Sequence, residues 1–155
     1  MTMSYWLFKS EPNEYGIDHL AKDKKARWDG IRNYQARNIL RDDVSVGDQV
    51  LFYHSSCKPT AIVGLAEVVA EGYPDPAQFN VDSPYFDAKS KIDAPRWVCV
   101  DIAFQAKFKN PLTLAALKKM PELSEMVLLQ QSRLSIQPVT KAEFEFILRT
   151  GAGKS

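Results

Sequence analysis

The sequence predicts a single α+β domain in which helices pack outside a small, curved or barrel-like mixed sheet. Three observations favour this fold class. The chain has 155 residues, which is about the length of one ordinary domain. Segments with a strand-like composition alternate unevenly with helix-like segments, as in α+β proteins. The strands predicted at 49–55 and 62–73 are joined by too short a link for a parallel crossover, which excludes a doubly wound parallel sheet.

The first part of the chain is predicted to form one strand followed by two helices. Residues 4–9 (SYWLFK) are rich in aromatic side chains, as strands often are, and Pro12 ends the run. Residues 17–25 are predicted to form a short helix. Asn33 is a favourable N-cap for a second helix over about 34–42.

Two strands and a long loop are predicted in the middle of the chain. The strand at 49–55 (QVLFYHS) is apolar or aromatic on both faces, which predicts burial on both sides of the sheet. Gly64 lies inside the next strand, 62–73, and indicates a bulge or a close approach of another backbone segment. Residues 74–95 contain four prolines and are predicted to form a long ordered loop, a feature that is often functional.

The last part of the chain is predicted to begin with a strand at 96–104, where apolar residues alternate with other residues. The elements predicted after it are a helix that begins after Thr113 and stops at Pro121, a short helix at about 122–130, an extended segment at 133–139 and a helix at 141–149. Thr140 and Glu143 have the spacing of a capping box for the last helix.

The motifs of several common enzyme and cofactor sites are absent from the sequence. It contains no G-x-x-x-x-G-K-[ST], no G-x-G-x-x-G and no G-x-S-x-G. It also lacks C-x-x-C, H-x-H and H-E-x-x-H, and its two histidines, His19 and His54, lie in dissimilar contexts. We therefore expect no metal ion, no cofactor and no nucleophilic catalysis by a Cys57–His54 pair.

The charge and the cysteine content narrow the class of protein further. The formal net charge is +1 and the pI is about 7.7, so the chain lacks the basic character of proteins that bind nucleic acid without specificity. This charge is compatible with a site that recognises one nucleotide through a few local cations. Two cysteines are too few for a disulfide framework, and neither a signal peptide nor an 18-residue apolar run is visible. These features predict a cytoplasmic protein with reduced thiols and no membrane association.

The stretch WDGIRNYQARN, residues 28–38, is unusually rich in flat hydrogen-bonding groups. It carries an indole, a phenol, two guanidiniums, three amides and a carboxylate. Aromatic faces stack on planar heterocycles, and an amide presents a donor beside an acceptor to the edge of such a ring. The stretch is therefore predicted to form one side of a slot for a flat polar ligand, and also to begin a helix.

Seven stretches spread over residues 5–139 together resemble the EVE domain, a member of the PUA-like group that is more distantly similar to the YTH domain. The stretches are YWLFKSEP (5–12), WDGIRNYQARN (28–38), GDQVLFYHSS (47–56), IVGLAEVVAEGYPDP (62–76), SPYFD (83–87), PRWVCVD (95–101) and SRLSIQPV (132–139). The resemblance extends over about residues 4–148, and its motifs are long and occur in order.

This resemblance implies a PUA-like mixed β-barrel with flanking helices and a non-catalytic function. EVE and YTH domains bind nucleic acid and recognise a modified base in a pocket, and EVE domains are associated with modified cytosine in DNA. The implied partner is therefore modified DNA or RNA. A base that is unstacked or flipped out of a duplex offers two faces for stacking and one polar edge for hydrogen bonds.

Thirteen residues are candidates for contact with such a ligand in an aromatic-lined pocket. They are Lys9, Ser10, Trp28, Asp29, Asn33, Tyr34, Arg37, His54, Ser55, Asp75, Tyr85, Trp97 and Arg133. Trp28 is the expected first stacking surface and Trp97 the second wall, although either indole could instead pack in the core. Asp29 and Asn33 are expected to read the polar edge, although both could cap the following helix or stabilise the turn.

The remaining candidates are assigned by their positions at strand ends and in loops. The YTH domain has a similar Lys-Ser pair after its first strand, which implies that a backbone N–H and a hydroxyl at Lys9 and Ser10 meet the base. His54 and Ser55 end a buried strand, where a histidine is more often a core residue. Tyr34, Arg37 and Arg133 are expected to contact sugar or phosphate, or in the case of Arg133 to buttress the pocket. Asp75 and Tyr85 are expected to cover the site from the long loop.

Two other function classes fit the same residues. The chain could be an enzyme that acts on a nucleoside or another heterocycle, with Asp29 or His54 as general base. It could also be a sensor that binds a free nucleoside-like metabolite, which the near-neutral charge favours. Affinity for a free nucleoside that does not depend on salt would support the sensor over a nucleic-acid reader.

Overall fold

A computed structural model describes residues 4–130 and 133–151. The strands are β1 (Tyr5–Ser10), β2 (Lys25–Trp28), β3 (Gln49–His54), β4 (Ala61–Pro74), β5 (Val98–Thr113) and β6 (Ile136–Val139). The helices are α1 (Pro12–Tyr15), α2 (Ile17–Asp23), α3 (Tyr34–Asp42), α4 (Leu114–Leu117), α5 (Val127–Gln130) and α6 (Lys141–Gly151). Short 3₁₀ turns occur at Pro76–Phe79 and Pro121–Leu123. Residue 132, the first of the SRLSIQPV stretch, lies outside the described residues.

The strands form one mixed sheet in the order β2-β5-β4-β3-β1-β6. β1 runs parallel to β3, and the other neighbouring pairs are antiparallel. The predicted α+β class is therefore confirmed, and the short link between β3 and β4 does make them antiparallel neighbours. In the described part of the chain the sheet has two free edges, β2 and β6, so closure into a barrel is not confirmed.

The sheet separates two hydrophobic cores, and β3 contributes to both. Val50 and Phe52 of β3 pack with α2, α3 and Trp28 in the first core. Leu51 and Tyr53 pack with α6 and the 112–128 region in the second. All four side chains are at most 3% exposed, which confirms the prediction that this strand is buried on both faces. None of the helices among the described residues is long and apolar enough to cross a membrane.

Several elements differ from the prediction. The short helix predicted at about 122–130 is divided into the Pro121–Leu123 3₁₀ turn and α5 (Val127–Gln130). The short helix α1 follows β1 directly, because Pro12 fits the first turn of a helix as well as it ends a strand. Lys25–Trp28, predicted as the end of a helix and a turn, is the edge strand β2, held by its pairing with β5. β5 is longer than the predicted 96–104 because β4 continues to pair with its polar half as far as Thr113.

The capping predictions are confirmed at three helices. The Asn33 side chain accepts a hydrogen bond from the Ala36 N–H (2.9 Å) at the start of α3. The Thr113 hydroxyl accepts from the Ala116 N–H (3.1 Å) at the start of α4. Thr140 and Glu143 exchange hydrogen bonds between side chain and backbone at 3.0 and 3.1 Å, the reciprocal pattern of a capping box. These residues satisfy N–H groups that have no partner within the first helical turn.

Gly64 is required by a close approach, as the sequence predicts. The β4–β5 register shifts beside it, and a Cβ at this position would lie 2.5 Å from the Ala106 carbonyl oxygen and 2.8 Å from Ile17 Cδ1. The missing side chain therefore allows α2 to pack directly against the sheet.

We expect Gly64→Ala to lower the free energy of unfolding by about 2 kcal/mol or more, because the added methyl overpacks a contact that includes backbone. Gly47→Ala is the matched control, since Gly47 has φ +95° but no atom within 4 Å of an added Cβ. It should cost about 1 kcal/mol through backbone conformation alone. Denaturant unfolding measures both, and equal costs would contradict the packing explanation.

His54 holds the start of α2 and does so only in its neutral form. Its Nε2 accepts a hydrogen bond from the Ile17 N–H at 3.1 Å, so this nitrogen carries no proton. Burial lowers the pKa of His54 below its ordinary value of 6.5, although the nearby Asp18 carboxylate opposes this shift. Lys107 and His19 add to the lowering.

Stability should therefore fall as the pH drops below 6.5. The unfolded state binds a proton at His54 at a higher pH than the folded state does. The loss of stability therefore begins near the pKa of His54 in the unfolded state and levels off below its lowered pKa in the folded state. Denaturant midpoints at pH 7.5, 6.0 and 5.0 measure the effect. His54→Gln keeps an acceptor without titrating and should lose less stability over this interval. An unchanged pH profile in His54→Gln would contradict this assignment.

Candidate functional site

A cleft of about 600 Å³ opens beside the ends of β1 and β2. This volume lies within the range of small-molecule sites in proteins. The wall comes from separate chain segments, namely residues 9–11, 14–15, 26–31, 55–56, 85, 133 and 135. Seven of the thirteen candidates lie in it: Lys9, Ser10, Trp28, Asp29, Ser55, Tyr85 and Arg133. The structure thus brings together residues that are up to 124 positions apart in the chain.

The turn after β2 is shaped by a glycine and a buried carboxylate. Gly30 has φ +75°, and a Cβ there would lie 2.9 Å from the Tyr85 ring, so a larger residue would strain the backbone and displace the tyrosine. The Gly30 N–H donates to Asp75 Oδ2 at 2.8 Å. Asp75 is fully buried and also accepts from Arg32 Nη1 (3.0 Å) and the Ala77 N–H (2.8 Å).

Asp75 was expected to cover the site, but the structure places it beneath the cleft wall as an anchor of two segments. It joins the 29–32 turn to the start of the long loop. Gln78, also fully buried, extends this anchoring because its amide bonds the backbone of Asp75, Arg96 and Trp97. The loop at 74–95 is therefore ordered by internal hydrogen bonds, as its length and proline content suggest.

Arg32 places Tyr85 at the cleft. Its Nε and Nη2 donate to the Tyr85 carbonyl oxygen at 3.1 and 2.8 Å. Its guanidinium also lies 5.5 Å from the centroid of the Tyr85 ring and 5.3 Å from that of Trp97, within the range of cation–π contacts. Tyr85 is 41% exposed, so much of its ring remains accessible beside the cleft.

Trp28 lines the cleft but is only 7% exposed. Its indole packs against Phe8 and Phe52 with ring centroids 5.7 and 5.4 Å away, and Tyr15 meets it edge-on at 6.4 Å. The core therefore fixes the orientation of the indole, and only a small part of the ring reaches the cleft.

Asp29 contributes a carboxylate to the same turn. Loss of solvation raises its pKa above the ordinary value, and the nearby Asp75 adds to the increase. Arg27, a hydrogen bond from its own backbone N–H, and Arg32 oppose the shift. A carboxylate has about four acceptor positions, so a single bond to its own backbone leaves Asp29 able to accept hydrogen bonds from a ligand.

Lys9 and Ser10 are the last residues of β1 and both line the cleft, but their groups are already engaged. The Lys9 N–H, expected to meet a ligand, donates instead to the Ser135 carbonyl oxygen at 3.0 Å. The Ser10 hydroxyl donates to the Tyr15 carbonyl oxygen at 2.7 Å, so toward the cleft it acts as an acceptor. Burial lowers the pKa of Lys9, whose Nζ lies 5.8 Å from the Tyr53 ring centroid.

Like Asp75, five other candidates lie outside the cleft wall. Asn33 caps α3, and His54 bonds the start of α2. Trp97 is 5% exposed and stacks on Tyr34 at 4.8 Å, while the Arg37 guanidinium lies 4.9 Å from the Tyr34 ring. Trp97 is thus placed under α3, the simpler alternative that the sequence left open, and Tyr85 lies where a second aromatic wall was expected.

Several cleft residues escaped the sequence reasoning. Glu11, Glu14 and Tyr15 were not identified because the helix α1 was not predicted. Pro12 directly after a strand was the sequence signal for the start of this helix. Arg27 was missed with the edge strand β2. Burial, together with the hydrogen bond to Asp23, raises the pKa of Tyr15 to about 12, so its phenol stays protonated at neutral pH. Within residues 4–130 and 133–151, no group of three or more His, Cys, Asp or Glu side chains could hold a metal ion.

Comparisons with known proteins agree with this fold. Human thymocyte nuclear protein 1 is 44% identical over 164 residues, which cover 94% of this chain and 72% of the relative. A crystal structure of that human protein in complex with DNA containing 5-methylcytosine has a TM-score of 0.91 and 40% identity, covering 98% of this chain and 99% of the other. A protein from Leishmania major has a TM-score of 0.92 and 48% identity, covering 96% and 94% of the two chains.

The sequence model of the EVE domain matches residues 4–150, which is nearly all of the described chain. This match agrees with the resemblance drawn from the seven sequence stretches. Since both the family model and relatives above 40% identity cover almost the whole chain, the protein belongs to the EVE domain family.

Proposed function

We propose that this protein binds a modified nucleobase, 5-methylcytosine in DNA, in the cleft between the ends of β1 and β2. The observation that carries the proposal is the complex of human thymocyte nuclear protein 1 with DNA containing 5-methylcytosine, because that structure matches 98% of this chain at 40% identity. The same site is also proposed to accept a modified base in RNA or a free nucleoside.

The cleft has the properties that a single unstacked base requires. Its volume of about 600 Å³ accommodates a nucleoside, and the rings of Tyr15, Trp28 and Tyr85 offer aromatic surface. Stacking on such rings is worth about 1–3 kcal/mol per base. Burial of one additional methyl group contributes only about 1 kcal/mol, so the preference for a methylated base should be modest unless the wall fits it closely.

We propose that binding occurs without chemical turnover. His54, one of two candidates for a general base, lies outside the cleft wall, and its Nε2 already accepts from the Ile17 N–H. Asp29 is the remaining candidate, since it lines the cleft and burial raises its pKa. Its acceptor capacity serves recognition of a ligand edge equally well, and the family relationship favours that role.

Tyr85→Ala should weaken binding of an oligonucleotide with one 5-methylcytosine by about 10-fold, because the variant removes a stacking ring. The loop should keep its place, since the two hydrogen bonds from Arg32 go to the Tyr85 carbonyl oxygen, which the variant retains. Fluorescence anisotropy with methylated and plain oligonucleotides of one sequence measures the effect, and thermal unfolding checks the fold.

Tyr85→Phe is the matched control, and it should bind nearly as well as the unsubstituted protein. Trp28→Ala is a poor probe, because removal of so deeply buried an indole costs about 3–5 kcal/mol of stability. Equal affinity for methylated and plain oligonucleotides in the unsubstituted protein would refute the proposed function.

Arg133→Ala should reduce the salt dependence of oligonucleotide binding. Lys9, Arg27 and Arg133 are the cations of the cleft wall, and Arg133 is exposed. If it contacts one phosphate, the slope of log K against log salt should become shallower by about 1. Lys118→Ala is the control, because Lys118 is exposed beyond α4 and away from the cleft.

Affinities between 50 and 300 mM salt give both slopes. An identical slope in Arg133→Ala and in the unsubstituted protein would contradict the phosphate contact. Binding of a free nucleoside as tightly as the oligonucleotide, with no salt dependence in either case, would favour the sensor instead.

A further inference from the structure

A pocket that accepts 5-methylcytosine has to reject thymine, and shape alone does not achieve this. The two bases share the pyrimidine outline and the 5-methyl group. They differ at position 4, where cytosine has an amino group that donates and thymine a carbonyl oxygen that accepts, and at N3, where the donor and acceptor roles are reversed. Aromatic walls and methyl burial treat both bases alike, so a polar group with a fixed role has to make the distinction.

We propose that Asp29 makes this distinction by accepting a hydrogen bond from the 4-amino group of the bound cytosine. This inference rests on the proposed function and names its specificity-determining residue. An ionised carboxylate accepts only, so it attracts the 4-amino group and repels the 4-oxo group of thymine.

The position of Asp29 suits this role. It directly follows Trp28, whose indole is fixed in the core, and directly precedes Gly30, whose N–H is bonded to the buried Asp75. The backbone on both sides of the carboxylate is therefore held, so that an approaching base meets it in a defined place. The side chain is exposed enough to reach a ligand, yet the cleft weakens its solvation enough to raise its pKa.

Other polar groups of the wall are less suited to the distinction. The cations Lys9, Arg27 and Arg133 donate only, so they would favour the 4-oxo group of thymine. Free serine hydroxyls rotate and serve either base. Three rivals present acceptors in the wall. The carboxylates of Glu11 and Glu14 accept only, as that of Asp29 does, and the Ser10 hydroxyl presents an acceptor because it already donates to the Tyr15 carbonyl oxygen.

The experiment measures four oligonucleotides that differ only at one position, placed opposite an abasic site so that the cost of base flipping is matched. The variable base is 5-methylcytosine, cytosine, thymine or uracil. Comparison of 5-methylcytosine with cytosine, and of thymine with uracil, reports the contribution of the methyl group. Comparison of 5-methylcytosine with thymine, and of cytosine with uracil, reports the distinction at position 4.

The unsubstituted protein should prefer 5-methylcytosine over thymine by about 10-fold or more, which is typical of a good polar contact to a base edge. Asp29→Asn should reduce this ratio to within about 3-fold, because an amide can donate to a 4-oxo group as well as accept from a 4-amino group. The preference for 5-methylcytosine over cytosine should persist. Glu145→Gln changes the charge equally at an exposed position of α6, outside the cleft wall, and should leave both ratios unchanged.

The possible negative results distinguish failure of the proposed function from failure of the role of Asp29. If the unsubstituted protein binds no probe, or shows no methyl preference, the proposed function fails and this inference fails with it. If the methyl preference holds but thymine binds as well as 5-methylcytosine, only the role of Asp29 fails. Retained discrimination in Asp29→Asn also overturns it, as does a loss of discrimination confined to Ser10→Ala, Glu11→Gln or Glu14→Gln. If Asp29→Asn does not fold, Asp29→Ser provides the same comparison.

Discussion

The fully buried carboxylate of Asp75 organises the cleft, although it does not line it. It receives hydrogen bonds from the turn after β2, from Arg32 and from the first turn of the long loop. A buried carboxylate is costly unless it is paired and hydrogen-bonded, and here a guanidinium and two backbone N–H groups satisfy it. Since these partners occupy two distant segments, the cost of burying one charge is offset by contacts that place Asp29, Gly30 and Tyr85 beside one another.

The strands and helices with strong local signals were predictable from the sequence. Periodicity and turn residues located β1, β3 and β4, and polar residues at the correct spacing identified the caps of α3, α4 and α6. The edge strand β2 was not predictable, because four residues with two cations have no strand pattern of their own and depend on β5 for pairing. The polar second half of β5 was also not predictable, because it has no strand pattern of its own and depends on β4 for pairing.

The candidate site was predictable in composition but only partly in geometry. The polar and aromatic residues around Trp28 indicated a ligand site, and Trp28 and Asp29 do line the cleft. The second aromatic was misplaced, because alternation along a strand shows which face Trp97 occupies but not what covers that face. In the structure Tyr34 of α3 covers it, and the loop tyrosine at position 85 borders the cleft. A resemblance in sequence cannot supply such contacts between distant segments, since they depend on the packed chain.

The hydrogen bonds of Arg32 hold the cleft rim through its backbone, so the position of the rim does not depend on the side chain that it presents. Arg32 binds the main-chain carbonyl at position 85, a group that every amino acid possesses. The rim can therefore exchange its side chain at this position during evolution while the loop stays anchored to the rest of the fold. Divergence within the family can in this way alter which ligand is preferred without rebuilding the scaffold that presents it.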